Sequence, residues 1–402
     1  MLKLPIYLDN SATTPCDPRV LEAMLPYFTE KFGNAASRSH PFGWVAEEAV
    51  DHARKQVAKL IKADPPEIVF TSGATESNNL ALKGVFEKYA SKGNHIITVT
   101  TEHKSILDTC KHIEKLGGHV SYIKVNDKGE IDLADLESAI TGNTILISVM
   151  YGNNEIGVIH PISEIAALAN KNNVLFHIDA TQAAGKIPID VNAEDIHLLS
   201  LTSHKMYGPK GVGALYVRRK DPRVKLIAQM DGGGHERSMR SGTLNVPGIV
   251  GFGAACELCL HEMKPDAERL RKFRDKLETS LLKLEEIYVN GSLSQRLPHI
   301  SNILFKYLEG EGLMMSFNKD IAISSGSACT SASPEPSHVL KALGLSDYLA
   351  HSSIRFSLGR FTTEEEVDYT IQRLTDAVLK LRERSPLWEM FKEGKEHQLL
   401  TT

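Results

Sequence analysis

No stretch of the 402 residues is long and apolar enough to cross a bilayer. The first residues, MLKLPI, hold neither a long apolar signal core nor an Arg/Ser-rich presequence. A cytoplasmic protein without membrane contact is the expectation. Cysteine is scarce. Cys16, Cys110, Cys256, Cys259 and Cys329 make five, an odd number that argues against a disulfide framework and for a reducing compartment. Cys256 and Cys259 form a CxxC, but no second pair answers it and it lies in the apolar, helix-like run 249–260. Packing, and not zinc, is expected there. A net charge of −4 argues against binding to nucleic acid through overall charge and leaves room only for a local basic patch, so no stable nucleic-acid complex is expected. Nucleotide-binding glycine motifs are lacking as well: residues 232–236 (GGGHE) do not fit a P-loop, and 251–253 (GFG) lack the third glycine of a dinucleotide fingerprint. No internal repeat is evident.

What is there is a chain too long for one core, which makes two domains the natural expectation. After a helical pattern at Trp44, Val45, Val50, Val57, Leu60 and Ile61, apolar strands are predicted at 68–70, 95–100, 120–125, 145–150, 174–178, 198–201 and 214–218. Helices starting at Ser105, Leu133 and Ile162 alternate with them, which predicts βα units on a mostly parallel sheet. Near 259–265 the chain passes into a small domain, whose first element is an amphipathic helix at 267–284. The large domain is expected over 16–260, and the small one over 1–15 with 261–402.

Residues 200–213 (SLTSHKMYGPKGVG) place one lysine, Lys205, between an apolar strand and a glycine-bounded turn. Another apolar run, 174–178, ends in Asp179, so an amine and a carboxylate would both emerge where parallel strands deliver ligand-binding groups. That pairing suits pyridoxal 5'-phosphate, which needs an amine to anchor it, a carboxylate at its ring nitrogen and donors for its phosphate. Thr202, Ser203, His204 and Gln182 supply donors close by. A lysine in a Gly-Pro-rich turn also reads as a solvated loop residue. Residues 71–78 (TSGATESN) put a glycine and hydroxyls ahead of a helix, which suits a phosphate or an ordinary helix cap. Residues 11–15 (SATTP) form a small, hydroxylated cluster that could lie near a site. His103 and 153–157 (NNEIG) follow strands, and Cys329 lies in 324–333, nearly all Ser, Ala, Gly and Thr, where mobility is expected.

Residues 179–182 (DATQ), 203–205 (SHK), 240–243 (RSGT) and above all 324–331 (SSGSACTS) resemble the cysteine desulfurases of the IscS/NifS family, over residues 6 to about 391. The loop around Cys329 and residues 364–390 look most like the housekeeping IscS branch. The resemblance implies an α/β, fold-type I pyridoxal-phosphate transferase: a large domain with a mostly parallel seven-stranded sheet and a small α+β C-terminal domain. It implies conversion of L-cysteine to L-alanine, with the sulfur kept as a persulfide on Cys329. Lys205 would anchor the cofactor and act as base, His103 would stack on the ring, Asp179 would hold the ring nitrogen and Gln182 the phenolate oxygen. Ala74, Thr75, Thr202 and His204 would take the phosphate. Thr243 would reach the phosphate of a neighbouring subunit, hence a homodimer. Asn154 would touch cofactor and substrate, and Arg355 would fix the substrate carboxylate. No intrinsic metal is implied, although Cys329 would serve as a transient iron–sulfur ligand with a scaffold protein. The implied acceptors are that scaffold and tRNA-thiolation sulfur carriers. Three departures stand out: Asn10 replaces the tyrosine usual in IscS, 33–37 (GNAAS) has alanine for proline, and Tyr151-Gly152 replaces His-Val. Selenocysteine lyases and aminotransferases share the fold, so the chemistry has alternatives.

Overall fold

Apolar strand follows amphipathic helix through most of the chain, and the computed structural model, which describes residues 2–325 and 335–394, shows what this builds. Strand β1 (Ile6–Tyr7) lies in the N-terminal arm. Strands β2 (Ile68–Thr71), β3 (His95–Val99), β4 (His119–Ile123), β5 (Thr144–Met150), β6 (Leu175–Asp179), β7 (Leu198–Thr202) and β8 (Gly213–Val217) then form one seven-stranded sheet in the order β2-β8-β7-β6-β5-β3-β4. The sheet is mostly parallel, as expected; β8 alone runs against its neighbours β2 and β7. Every residue of β2, β3, β5, β6, β7 and β8 is buried, because helices cover both faces. One face packs on the helices Pro41–Leu60 and Ile162–Lys171 through Val50, Val57, Ile165 and Ala169. The other packs on Ala74–Lys88 and Lys104–Lys115 through Leu82, Val85, Ile106 and Ile113.

A second core lies apart from this sheet. Strands β9 (Ile287–Val289), β10 (Ile300–Phe305), β12 (Ser324–Ser325) and β13 (Ser353–Ser357) make a four-stranded antiparallel sheet, and β11 (Ile321–Ala322) pairs in parallel with β1. Ile6 and Leu8 of the arm join Phe305, Phe356 and Leu374 in one apolar cluster, so the N-terminus belongs with the C-terminal core. The helix Glu364–Arg382 closes it, started by a capping box of Thr363 and Glu366.

The two helical segments expected at 249–260 and 267–284 are one helix, Val246–Leu281, with Pro265 inside it. A proline removes an amide donor and costs roughly 3 kcal/mol in a helix interior, which is why the sequence reads as a break. Tertiary packing overrides that cost. Ile249, Phe252 and Cys256 are buried in the large-sheet core, and Leu270, Leu277 and Leu281 in the second core, so each half is held separately. Cys256 and Cys259 are buried, as expected for packing cysteines.

Candidate active site

Three adjacent parallel strands end together: β5 in Met150, β6 in Asp179 and β7 in Thr202. The carboxyl edge of a parallel sheet is where side chains are delivered to a ligand, and a cavity of about 530 Å³ opens there. It is wide enough for a cofactor together with a small substrate.

The turn Ser203–Lys205 directly follows β7, so Lys205 enters the cavity at the end of a buried strand. Its Nζ donates to the backbone carbonyls of Ser11 and Ala12, the latter at 2.5 Å. The hydroxylated N-terminal arm therefore forms one wall of the cavity, through Ser11, Ala12 and Thr13. Gln182 reaches the same arm, its Nε2 donating to the Ser11 carbonyl at 2.9 Å. Opposite lies Asp179, buried, with a donor on each oxygen: the Thr181 amide on Oδ1 at 2.9 Å and Asn78 Nδ2 on Oδ2 at 2.8 Å. A carboxylate held this way is fixed in its orientation.

One end of the cavity, of a kind suited to an anion, is made by Gly73 and the helix Ala74–Lys88. Gly73 has φ +154°, and it brings the chain from β2 into the helix with Ala74 and Thr75 at the first turn. The amides of that turn have no carbonyl one turn back, and the helix dipole favours negative charge at this end. Thr202 lies beside Gly73, and His204 bonds Thr13 Oγ1 through Nδ1 at 3.0 Å. Burial, and then the nearby Lys205 and Lys210, push His204 down to about 4, so its ring is neutral at neutral pH. Ser72 and Arg240 hold Glu76 through its carboxylate, which keeps that charge paired beside the anion end. Arg240 is one of the residues of the 240–243 motif.

His103 caps the helix Lys104–Lys115, where its Nδ1 accepts the Ser105 amide at 3.1 Å. A nitrogen that accepts an N–H carries no proton, so the neutral ring is protonated on Nε2. Arg355 comes from β13 in the second core. It is buried and donates to the Asn154 carbonyl at 3.1 Å and to Asp9 Oδ1 at 2.8 Å. The cavity thus lies between the two cores.

Ten residues singled out in the sequence line this one cavity: Ala74, Thr75, Thr202 and His204 at the anion end, His103, Asp179, Gln182 and Lys205 in the middle, Asn154 and Arg355 at the far side. Thr243 is exposed and does not line it. Cys329 lies outside the described residues. Sequence reading passed over Asp9, Asn78, Ser105 and Glu102. Asn78 had a signal: it stands four residues after Ala74 on a helix, the spacing that puts two side chains on one face. Glu102 had none that distinguished it from a surface carboxylate. In the fold it is buried, its Oε1 accepts the Met150 amide at 2.6 Å, and burial with Asp179 nearby pushes its carboxyl well up.

Fold and cavity together define an aminotransferase class-V protein, and the family model of that description, "Aminotransferase class-V", matches residues 6–370. Among solved structures, a NifS-like protein superposes with a TM-score of 0.88 at 37% identity, covering 94% of this chain and all of that one (100%). SspA in complex with cysteine gives 0.79 at 37% identity, covering 89% of this chain and 100% of that one. The cysteine desulfurase IscS of Shewanella oneidensis is 60% identical over 395 residues, spanning 98% of this chain and 97% of the relative. That of Pectobacterium carotovorum is 59% identical over the same share of both. The chain belongs to the cysteine desulfurase IscS family.

Proposed function

We propose that the chain is a pyridoxal 5'-phosphate-dependent cysteine desulfurase that converts L-cysteine to L-alanine and keeps the sulfur as a persulfide on Cys329. The observation that carries this reading is the convergence of Lys205, Asp179, His103 and Arg355 on one cavity, in a chain whose relatives are named for that activity. The donor set fits the cofactor. The first-turn amides after Gly73, with Thr75, Thr202 and neutral His204, would hold the phosphate; Asp179 would pair with a protonated ring nitrogen, and Gln182 with the phenolic oxygen. The hydroxyls of Ser11 and Thr181 line the same cavity and have no protein partner among the described residues, which leaves polar capacity for a ligand. When bound, the cofactor supplies an aldehyde that reacts with amines and a ring that draws electrons from the substrate Cα.

The protein's own groups do the rest. Lys205 anchors the cofactor, and its Nζ then takes the proton from Cα. His103, with its own proton on Nε2, serves proton transfer at the ring face. Arg355, fixed by Asp9 and the Asn154 carbonyl, offers its guanidinium to the substrate carboxylate. The Cys329 thiolate attacks the substrate sulfur: the Cβ–S bond breaks, an S–S bond forms, and Cβ takes a proton. One L-cysteine and one thiol give one L-alanine and one persulfide, with no external oxidant or reductant. The other four cysteines support this choice of thiol. Burial pushes the thiols of Cys16, Cys256 and Cys259 up, and that of Cys110 up to about 12, so none of them favours a thiolate.

Residues 16–260 are assigned to a large cofactor-binding domain, and 1–15 with 261–402 to a small one. Thr243, exposed and outside its own chain's cavity, is suited to a neighbouring subunit, which supports a homodimer. The acceptors are an iron–sulfur scaffold protein and tRNA-thiolation carriers, in the cytoplasm; among the described residues no helix is long and apolar enough to cross a membrane. The test is an absorption spectrum of the purified protein, followed by addition of L-cysteine with alanine and sulfide measured together. Alanine formed without a keto-acid acceptor is expected. Alanine formed only with such an acceptor would make the protein an aminotransferase instead.

A further inference from the structure

Asn78 is completely buried on the helix Ala74–Lys88. Its Nδ2 meets two acceptors at once: Asp179 Oδ2 at 2.8 Å and Ser105 Oγ at 2.9 Å. The carboxylate can only accept, so the amide's NH2 group must face it, and the chemistry fixes which way Asn78 is turned. Both of its protons are thereby spent outward. Ser105 Oγ receives one of them on a lone pair, and the same oxygen lies 2.9 Å from His103 Nδ1. That nitrogen already accepts the Ser105 amide, so it has no proton to give and the Ser105 O–H must point toward it. The Ser105 backbone amide thus makes Nδ1 an acceptor, and Asn78, by donating to Ser105 Oγ, turns the Ser105 hydroxyl proton onto the same nitrogen.

We propose that Asn78 is a positioning residue that couples Asp179 to His103: one amide nitrogen orients the carboxylate meant for the cofactor ring nitrogen and, through the Ser105 hydroxyl, reinforces the Nε2–H tautomer of His103 that the Ser105 amide sets. The helix that offers its first-turn amides to the phosphate thus also sets the two groups that address the ring. The spacing makes this possible, since Asn78 follows Ala74 by one helical turn. The inference rests on the cofactor reading given above.

Asn78→Asp is the informative change because it is nearly isosteric and removes both donors. It sets a second carboxylate against Asp179, and Ser105 then has a stronger acceptor than His103 to donate to. Ser105→Ala cuts the relay at its other end and leaves the Asp179 contact alone. Imidazole ¹⁵N spectra of the histidine-labelled holoenzyme, with the His103 signals assigned by loss in a His103→Gln variant, report the tautomer directly at a pH where the ring is neutral. In the wild type Nδ1 should be the unprotonated nitrogen. Asn78→Asp should shift the His103 Nδ1 signal, because the Ser105 hydroxyl turns away from it while the Ser105 amide stays, and weaken pyridoxal-phosphate binding roughly tenfold or more, the worth of one hydrogen bond to a charged group. Ser105→Ala should shift the His103 signals while cofactor affinity stays within about twofold, since its backbone amide still reaches Nδ1 and Asp179 keeps its donor. A folded Asn78→Asp protein with unchanged His103 signals and unchanged affinity overturns the proposal. If that variant does not fold, His103 signals unchanged in Ser105→Ala overturn it equally. A wild type that binds no pyridoxal phosphate would instead defeat the functional reading, whatever the variants show.

Discussion

The Ser337 hydroxyl donates to the Glu155 carboxylate at 2.5 Å, and so ties the residue beside Asn154 to the segment that follows 326–334. The same hydroxyl accepts the Val339 and Leu340 amides and starts the helix His338–Ala342. His338 makes a parallel contact, its Nε2 lying 2.9 Å from the carbonyl of Glu102, the residue beside His103. Two consecutive residues at the start of that helix are thus pinned to the two loops that carry Asn154 and His103, and its Val339 and Leu340 pack against Ile156 and Val158.

Glu155 is buried, and burial pushes its carboxyl up to about 7, against the pull of Ser337 and of the nearby Arg355, His103 and Lys104. The folded state therefore holds a proton that the unfolded chain, at 4.5, releases earlier. The sign follows: this group's contribution to stability is full below pH 4.5 and is lost as pH rises through about 7. Glu155→Gln keeps an acceptor for Ser337 but cannot ionise. Relative to wild type it should gain stability across that window, by up to about 3 kcal/mol. Urea midpoints measured over a pH series test this, and a wild-type-to-variant difference that stays flat would refute it.

Arg54 and Glu236 form a buried two-point ion pair, both contacts at 2.7 Å, and Glu236 Oε2 also accepts the Phe70 amide of β2 at 2.8 Å. This pair holds the 232–243 stretch, which ends in Thr243, onto the edge of the large sheet. Glu236→Ala leaves a buried guanidinium whose remaining carboxylate, Asp51, is 3.9 Å away and exposed. It should destabilise by about 3–5 kcal/mol, whereas Arg54→Met combined with Glu236→Leu should cost far less, because no charge is then stranded. Thermal melts of the three proteins decide it; equal losses in the single and double variants would mean that the pair itself, and not the stranded charge, matters.

Much of this was legible in the sequence because strands buried on both faces read as unbroken apolar runs. Those runs end at Asp179 and Thr202, and the parallel-sheet rule then sends both groups to one edge. Lys205 and His103 follow from the same rule. Long-range pairings were not legible. Nothing local says that Asp9 meets Arg355 or that Asn78 meets Asp179, since these contacts span 346 and 101 residues of chain. The long helix was misjudged for a related reason: Pro265 is a local signal, and two separate cores outweigh it.

Lys205 enters, at the end of a buried strand, the cavity that Asp179 and Gln182 also line; Lys210 lines it too, but from the turn further on. Lys205→Ala should lower alanine formation at least roughly 10³-fold, because both the anchoring amine and the base at Cα are lost. Asp179 and the first-turn amides remain, so phosphate-bearing cofactor should still bind, more weakly and with a shifted absorbance. Equilibrium dialysis and an alanine assay separate the two effects, and near wild-type turnover would remove Lys205 from the mechanism.

Cys329→Ser asks whether the sulfur step can be parted from the cofactor step. Lys205, Asp179 and Arg355 reach the cavity from β7, β6 and β13, none of which the substitution touches. The variant should therefore keep the cofactor absorbance and still change it on addition of L-cysteine, while alanine release and sulfur transfer fall to background. The four other thiols cannot take over, since each is pushed up by burial and holds its proton near neutral pH. Mass spectrometry of the wild type after one turnover should find a single extra sulfur on the peptide that holds Cys329. The same sulfur on Cys16, Cys110, Cys256 or Cys259, or full alanine production by the serine variant, would take the transfer step away from Cys329 and leave the cofactor reading standing.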